Sequence, residues 1–165
     1  MATRNIRIMG DSILEKKSKP VTEMTEKIET LIQDMLDTMY EAQGVGLAAP
    51  QVGILKRIVT IDVTPEGDSP IILINPVIIE ADGEQVGDEG CLSVPGKAGT
   101  VTRPNHVKVR ALNENMEEFE IEGEGLLARA FCHEIDHLDG KLYVSLVEGA
   151  LHDVGVFEDD EEETN

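Results

Sequence analysis

Two histidines and a glutamate towards the end of the chain have the types and spacing of a metal-assisted hydrolytic site. His133 and His137 stand four residues apart, and Glu134 directly follows the first histidine. Side chains four residues apart lie on the same face of an α-helix, so both imidazoles can bind one metal ion. Glu134 would border that metal without binding it, where a carboxylate can accept a proton from water. Because the pattern is short, two ordinary helical histidines are the alternative.

Two histidines leave this site one protein ligand short of a catalytic zinc-type centre. A third histidine at the position used by some zinc peptidases is excluded, because Tyr143 occupies it. Cys132 points about 100° around the helix from His133, and we predict that it is a buried, apolar side chain. Cys91 is the remaining candidate, in a predicted glycine-flanked loop. An inert free thiol is the alternative interpretation of Cys91.

A buried helix and two glycine-containing loops are the elements that would position these residues. Apolar residues around most of its girth predict the helix over residues 125–139, with Gly140 as its stop signal. The first loop, residues 44–53, matches the dinucleotide-binding pattern G-x-G-x-x-A. It follows a helix, however, and Pro50 prevents a helix from starting at the glycines, so we reject nucleotide binding. The second loop covers residues 87–96.

The remaining hydrophobic pattern predicts an α+β domain. An amphipathic helix is predicted to begin after Thr22 or Thr25 and to end at Gly44. Runs rich in β-forming residues predict strands at 57–63, 71–79, 101–102, 107–112, 119–121 and 142–147. Short strands between one helix and another favour the α+β class over a regular βαβ arrangement.

Composition and charge restrict the partners. The 165 residues carry a formal net charge of -19, which argues against broad binding to nucleic acids or anionic membranes. Acidic residues occupy every position from 158 to 163. We therefore predict a single catalytic domain over residues 1–157 and an acidic, disordered tail over residues 158–165. The absence of a long apolar run, a signal-peptide core or a cysteine scaffold favours a cytoplasmic protein.

Three ordered motifs resemble those of the peptide deformylase family. They are Gly-Val-Gly-Leu-Ala-Ala-Pro-Gln at 44–51, Glu-Gly-Cys-Leu-Ser at 89–93 and His-Glu-Ile-Asp-His at 133–137. Each motif alone is weak, but their order and spacing are specific, and the resemblance covers about residues 5–147. It implies a peptide-deformylase-like α+β fold, in which mixed, mainly antiparallel strands surround a buried central helix carrying the His-Glu-x-x-His motif. The N-terminal amphipathic helix completes that fold.

The resemblance also implies an activity and roles for individual residues. The activity is removal of the N-formyl group from the N-terminal methionine of newly made polypeptides, with release of formate. Cys91, His133 and His137 would bind one Fe²⁺ ion, for which Zn²⁺, Ni²⁺ or Co²⁺ can substitute. Glu134 would move the proton. Two donors would hold the developing oxyanion, namely the side chain of Gln51 and the backbone N–H of Leu92.

Helical spacing and glycine positions add a predicted substrate cleft beside the metal. We expect Leu126 and Ala130 to line a cavity for an unbranched methionine side chain, since both share the helix face of the histidines. The substrate backbone would lie as an added strand beside Val45, Gly46 and Gly90. The expected partners are N-formylmethionyl nascent peptides and, transiently, the ribosome, with no direct nucleic-acid specificity and no membrane.

Two other functions are compatible with the motif chemistry. One is a different metal-dependent amidase or peptidase, and the other is a non-catalytic metal-binding protein that kept the ligands. Glu134 and Gln51 argue against the second alternative, because binding a metal requires neither of them. Cys132 stands where many members of the resembled family have glutamine. Residues 148–150 lead into the acidic segment, so we do not expect a C-terminal helix after the last strand.

Overall fold

The computed structural model describes residues 2–154, which form two α-helices, eight β-strands and three short 3₁₀ helices. The predicted acidic tail over residues 158–165 and the last residues of the predicted domain lie outside the described residues. The helices are α1 (Glu26–Glu41) and α2 (Leu126–Leu138), and the strands are β1 (Gly46–Ala48), β2 (Ile58–Ile61), β3 (Ile71–Asp82), β4 (Gln85–Cys91), β5 (Val94–Arg103), β6 (His106–Leu112), β7 (Glu118–Glu124) and β8 (Glu148–Asp153). The 3₁₀ helices are Ser12–Glu15, Ala49–Val52 and Tyr143–Leu146.

The strands form two antiparallel sheets. One sheet has the order β1-β2-β3-β6-β7, and the other has the order β4-β5-β8. Together with the two helices, this arrangement confirms the predicted α+β class. No helix within residues 2–154 has the length and apolar character needed to cross a membrane.

The five-stranded sheet lies between the two helices. In β2, Ile58 belongs to an apolar cluster with α1, whereas Val59 belongs to a cluster with α2. In β3, Ile74 and Leu73 divide between the two clusters in the same way. Because successive strand side chains point to opposite faces, α1 and α2 pack on opposite faces of this sheet. The sheet therefore supports the helix that is predicted to carry the two histidines.

The start of α1 follows from its sequence. Thr25, rather than Thr22, is the N-cap, and its hydroxyl accepts a hydrogen bond from Ile28 N at 3.2 Å. The helix ends at Glu41, before the predicted stop at Gly44. Gly44 N still donates to a carbonyl of the last turn, that of Met39, at 3.0 Å. This bond ties the end of α1 directly to the segment that enters β1.

Three sequence predictions about local structure were wrong. Residues 44–53, predicted as a loop, contain β1 and the 3₁₀ helix Ala49–Val52. Residues 87–96, predicted as a loop, belong to β4, a tight turn and the start of β5, so Cys91 is the last residue of a strand. Glycine and acidic residues have low β-propensity, but cross-strand pairing with β5 overrides that preference. The strand predicted at 142–147 is instead a 3₁₀ helix, Tyr143–Leu146, and the last described strand is β8. The apolar residues of this 3₁₀ segment reflect packing of the buried Tyr143 against Val94 and Val101.

Gly140 at the end of α2 is expected to tolerate no side chain. Its φ is +77°, and a methyl group there would lie 2.5 Å from the backbone oxygen of Glu15. We expect Gly140→Ala to lower the free energy of unfolding by about 3 kcal/mol, from the backbone conformation and the clash together. Gly149→Ala is the control, because Gly149 has φ +83° but no atom within 4 Å of the added methyl group. Urea unfolding measures both variants. A similar loss in the free energy of unfolding for the two would show that the clash with Glu15 does not contribute.

Candidate metal centre and active-site cleft

The three predicted metal-binding residues come together at one point. Cys91 lies at the end of β4, and His133 and His137 lie one turn apart on α2. One potential ligand atom from each residue lies within 4.8 Å of those of the other two. Cys91 Sγ is 3.4 Å from His137 Nε2. One sulfur and two imidazole nitrogens form a donor set suited to a divalent transition metal with a coordination position left open.

The electrostatics of the centre suit a cation. Burial, reinforced by the charge of His133, lowers the pKa of His137 to about 3, so its imidazole is neutral and has a free lone pair. Burial opposes protonation of His133, but Glu134, Cys91 and Glu89 together raise the pKa of His133 well above its ordinary value. Negative groups around the histidines thus favour positive charge at this position, and a divalent ion would benefit from the same groups.

Glu89 fixes the orientation of the first histidine. It is buried, and its Oε1 lies 2.6 Å from His133 Nδ1. Arg103 donates to both carboxylate oxygens of Glu89, at 2.6 and 3.0 Å, and Arg129 donates to Oε2 at 2.7 Å. Burial would raise the pKa of Glu89, but the bonds from His133 and Arg103 lower it to about 2. The ionised carboxylate holds a proton on Nδ1 and leaves Nε2 available as a metal ligand.

The sequence interpretation missed the supporting roles of Glu89, Arg103 and Arg129. In the sequence, Glu89 stands out only as the first residue of a motif. One local signal was present, because Arg129 stands four residues before His133. Arg103 gave no such signal. It is far from the motifs in sequence, and it also pairs with Asp136 on α2 at 2.9 Å.

We expect Glu89→Gln to destabilise the fold, because two buried guanidinium groups lose their shared carboxylate. Breaking such a buried pair typically costs about 3–5 kcal/mol in the free energy of unfolding. The folded pKa of Glu89, about 2, is lower than its ordinary value of 4.5. Its stabilisation is therefore fully present above about pH 4.5 and is lost as the pH falls towards 2. Urea unfolding of both proteins across this range should show their difference shrinking in acid.

The control for this variant is Asp82→Asn, which removes an exposed carboxylate in β3. It should change the free energy of unfolding little at any pH, since exposed ion pairs contribute little. A Glu89→Gln protein that differs from the wild type no more than the control does would show that the buried cluster is not a stabilising network.

Glu134 is buried beside the centre and has an unusual environment. Its Oε2 is 4.0 Å from His133 Nε2, and within the described part of the chain its Oε1 has no hydrogen-bond partner. Burial, the largest effect, raises the pKa of Glu134 to about 7. A carboxylate of this kind can both accept and return a proton near neutral pH. A methyl group at Gly46 would lie 2.5 Å from Glu134 Oε2, so the opposite wall needs glycine there.

The side-chain amide of Gln51 also faces the centre. Its Nε2 donates to Ser93 Oγ at 3.0 Å and lies 3.6 Å from Cys91 Sγ. Its Oε1 accepts a hydrogen bond from Ala48 N at 2.9 Å, which fixes the amide with the NH₂ group towards the cysteine. Gln51 is therefore a buried donor held in place, with one N–H directed at Ser93 Oγ and the other at Cys91 Sγ.

An open cleft with a cavity volume of about 170 Å³ leads to these groups. Gln51, Leu92, His133 and Glu134 line it, and so do all five predicted substrate-binding residues: Val45, Gly46, Gly90, Leu126 and Ala130. Val45 and Leu126 are exposed, whereas Gly46 and Ala130 are buried. The cleft thus has an apolar, accessible mouth and a polar inner end. It also includes Asp88, which the sequence interpretation did not single out.

The other candidate side chains lie outside this group. Cys132 is buried, as predicted, and burial raises the pKa of its thiol to about 11. His106 contacts Asp82 and Glu122 across the surface of β6. His152 lies 3.4 Å from Asp88 Oδ2. None of these three is part of the cysteine–histidine cluster.

Comparison with known proteins gives consistent similarities over most of the chain. The sequence model of a family described as polypeptide deformylase matches residues 3–150. A peptide deformylase of Lachnoclostridium phytofermentans is 71% identical over 163 residues, covering 99% of this chain and 100% of the relative. A peptide deformylase of Agathobacter rectalis is 70% identical over 162 residues, covering 98% of this chain and 100% of the relative.

Solved structures give the same result for the fold. A peptide deformylase from Legionella pneumophila superposes with a TM-score of 0.86 at 49% identity, covering 89% of this chain and 87% of that one. One from Synechococcus elongatus, in complex with actinonin, has a TM-score of 0.86 at 41% identity, covering 90% of this chain and 83% of that one.

Proposed function

The chain belongs to the polypeptide deformylase family, and on this premise we propose how its own residues carry out the family's reaction. The enzyme is a metal-dependent hydrolase that removes the N-formyl group from the N-terminal methionine of newly made polypeptides and releases formate. The observation that carries the residue assignments is that a thiol, an imidazole and a buried carboxylate line the inner end of one cleft, with the His137 imidazole clustered beside the first two.

Cys91, His133 and His137 hold one metal ion in this proposal, and we infer that the ion is Fe²⁺, with Zn²⁺, Ni²⁺ or Co²⁺ able to substitute. Their donor atoms support this assignment, because a thiolate with two imidazoles accommodates each of these ions. When bound, such an ion supplies Lewis acidity and lowers the pKa of water at the site. In this proposal α2 is the central helix that carries the His-Glu-x-x-His motif, and strands surround it.

Glu134 is the general base and then the general acid. Its carboxylate takes a proton from the attacking water and returns it to the nitrogen of the leaving amine. Burial raises the pKa of Glu134 to about 7, and the charge of a bound ion would favour the ionised form that accepts the proton. Gln51 Nε2 and the backbone N–H of Leu92 donate hydrogen bonds to the formyl oxygen as negative charge develops on it. The bond from Ala48 N to Gln51 Oε1 supports this role by holding the amide in place.

The cleft walls position the peptide. In the described sheet β1 pairs only with β2, so its other edge is open to an added strand beside Val45 and Gly46. Gly90, which has no side chain, allows the peptide backbone to approach closely on the opposite side of the cleft. Leu126 and Ala130 provide an apolar surface for the methionine side chain, which bends to fit irregular apolar space.

The substrates place this enzyme in the cytoplasm, in transient contact with the ribosome and without direct nucleic-acid or membrane specificity. Nascent formylated chains are made there, and the net charge of -19 disfavours extended contact with polyanions. We further assign residues 1–157 to a single catalytic domain. The packing of both helices on one sheet supports this assignment for the described residues.

A formate-release assay with a formyl-Met peptide, run on anaerobically purified protein of measured metal content, tests these proposals together. The expected result is formate release in proportion to bound iron, with little hydrolysis of the matching acetyl-Met peptide. Hydrolysis of acetyl-Met peptide at a similar rate would favour a broader amidase. Metal binding without any hydrolysis would favour a non-catalytic metal-binding protein. Purification with zinc as the only bound metal would contradict the assignment of Fe²⁺.

A further inference from the structure

Residues 44–46, which we call the cleft wall, lie against the side chains of Leu92 and Glu134. A methyl group at Gly44 would lie 2.6 Å from Leu92 Cδ1, and one at Gly46 would lie 2.5 Å from Glu134 Oε2. Val45, between the two glycines, lines the cleft and is 43% exposed. The position of the cleft wall therefore sets the space available to a substrate beside Leu92 and Glu134.

The cleft wall belongs to a short edge strand. β1 has three residues, and its pairing with β2 begins at Gly46, opposite Ile61. One further backbone bond, from Asp62 N to Val45 O at 2.8 Å, continues this ladder to the middle of the cleft wall. Short edge strands with few ladder bonds open more readily than central ones. The Asp62 peptide unit therefore holds Val45 at the end of the ladder.

The side chain of Asp62 holds that peptide unit in place. Asp62 is buried, and its carboxylate accepts hydrogen bonds from Tyr40 Oη at 2.6 Å, from both the backbone N and the hydroxyl of Thr64, and from Ser69 N at 3.1 Å. Burial would raise the pKa of Asp62, but the bonds from Thr64 and Tyr40 lower it, so the carboxylate is ionised. Burial and the Asp62 bond raise the pKa of Tyr40 to about 12, so its hydroxyl remains a donor.

We propose that Asp62 is a positioning residue for the substrate, because its carboxylate joins the end of α1 and the turn over residues 64–69 to the backbone unit that holds Val45. None of its hydrogen bonds reaches the metal-binding residues or Glu134. Its influence passes through the cleft wall and acts on how well a formylated peptide is bound. This inference rests on the proposed function, since the peptide lies along that wall.

Asp62→Asn and Tyr40→Phe test the inference, with KM, kcat and amide hydrogen exchange over residues 44–48 as readouts. Asparagine has one acceptor oxygen in place of two. Its NH₂ group would face some of the donors that hydrogen-bond to the Asp62 carboxylate. We expect Asp62→Asn to raise KM about tenfold and to change kcat less than about threefold, because uniform substrate binding is lost. Exchange over residues 44–48 should become faster. Tyr40→Phe removes one hydrogen bond and should raise KM about two- to threefold.

Thr25→Ala is the matched control, because it removes the N-cap of α1 far from the cleft wall and lowers stability alone. The inference is overturned if Thr25→Ala raises KM as much as Asp62→Asn at a similar loss of Tm. It is also overturned if both Asp62→Asn and Tyr40→Phe keep the wild-type KM. If the wild type releases no formate, the proposed function fails instead. Amide hydrogen exchange over residues 44–48 then still tests whether Asp62 holds the cleft wall. Unchanged exchange in Asp62→Asn overturns the inference, and faster exchange supports it.

Discussion

Glutamine in place of Glu134 is expected to remove almost all deformylation while the protein keeps its metal. The substitution preserves the size of the side chain but removes its ability to accept a proton. General acid–base catalysis of this kind contributes about 10²–10⁴-fold to rate, so we expect kcat to fall by about that factor. Metal content should be unchanged, because Glu134 is not among the clustered potential ligand atoms. Formate release and elemental analysis on the same sample measure both quantities.

The variant is informative because glutamine also suits the buried site. Without a bound metal, burial raises the pKa of Glu134 to about 7, so a neutral side chain of the same size fits this environment. Glu134→Gln should therefore be as stable as the wild type or more stable near neutral pH, and an inactive protein would not be an unfolded one. Glu124→Gln, an exposed change just before α2, is the control for turnover. Loss of the metal from the Glu134 variant, or a wild-type rate, would contradict the proposed role of Glu134.

The sequence predicted the elements in which periodicity and local chemistry agree. Spacing of four residues places His133 and His137 on one face of α2, and the hydrophobic pattern predicted both helices and most of the five-stranded sheet. Of the β4–β5 hairpin only the strand at 101–102 was predicted, because the glycine and acidic residues before it form strands only through cross-strand pairing. Periodicity within a single segment contains no information about such pairing.

Long-range charge pairing was also beyond the sequence. Glu89 and Arg103 come from the two strands of one hairpin and Arg129 from α2, and charged residues are usually exposed, so composition gives no reason to expect them buried together. The same holds for Asp62, which stands beside a turn and resembles an ordinary solvated turn residue in sequence. The residues that support a site are set by tertiary contacts, whereas those that do its chemistry often follow local patterns.

The two cysteines of the chain offer a direct test of the metal ligands. Cys91→Ser is expected to weaken metal binding strongly, because a hydroxyl stays protonated near neutral pH and is a poor substitute for a thiolate. Loss of a group that merely supports a ligand typically costs about 10–100-fold in metal affinity, so loss of a ligand itself should cost at least as much. Equilibrium dialysis against a metal buffer measures this affinity, and formate release should fall with occupancy.

Cys132→Ser is the matched control, since it makes the same chemical change on the neighbouring side of the ligand helix. Cys132 is buried, and its raised pKa of about 11 keeps the thiol neutral, so it is not suited to bind a metal. The serine variant should lose some thermal stability, because a hydroxyl is placed in an apolar environment, but it should keep its metal affinity. If Cys132→Ser lost the metal while Cys91→Ser kept it, the cysteine assignment would be reversed, and β4 would no longer supply a ligand.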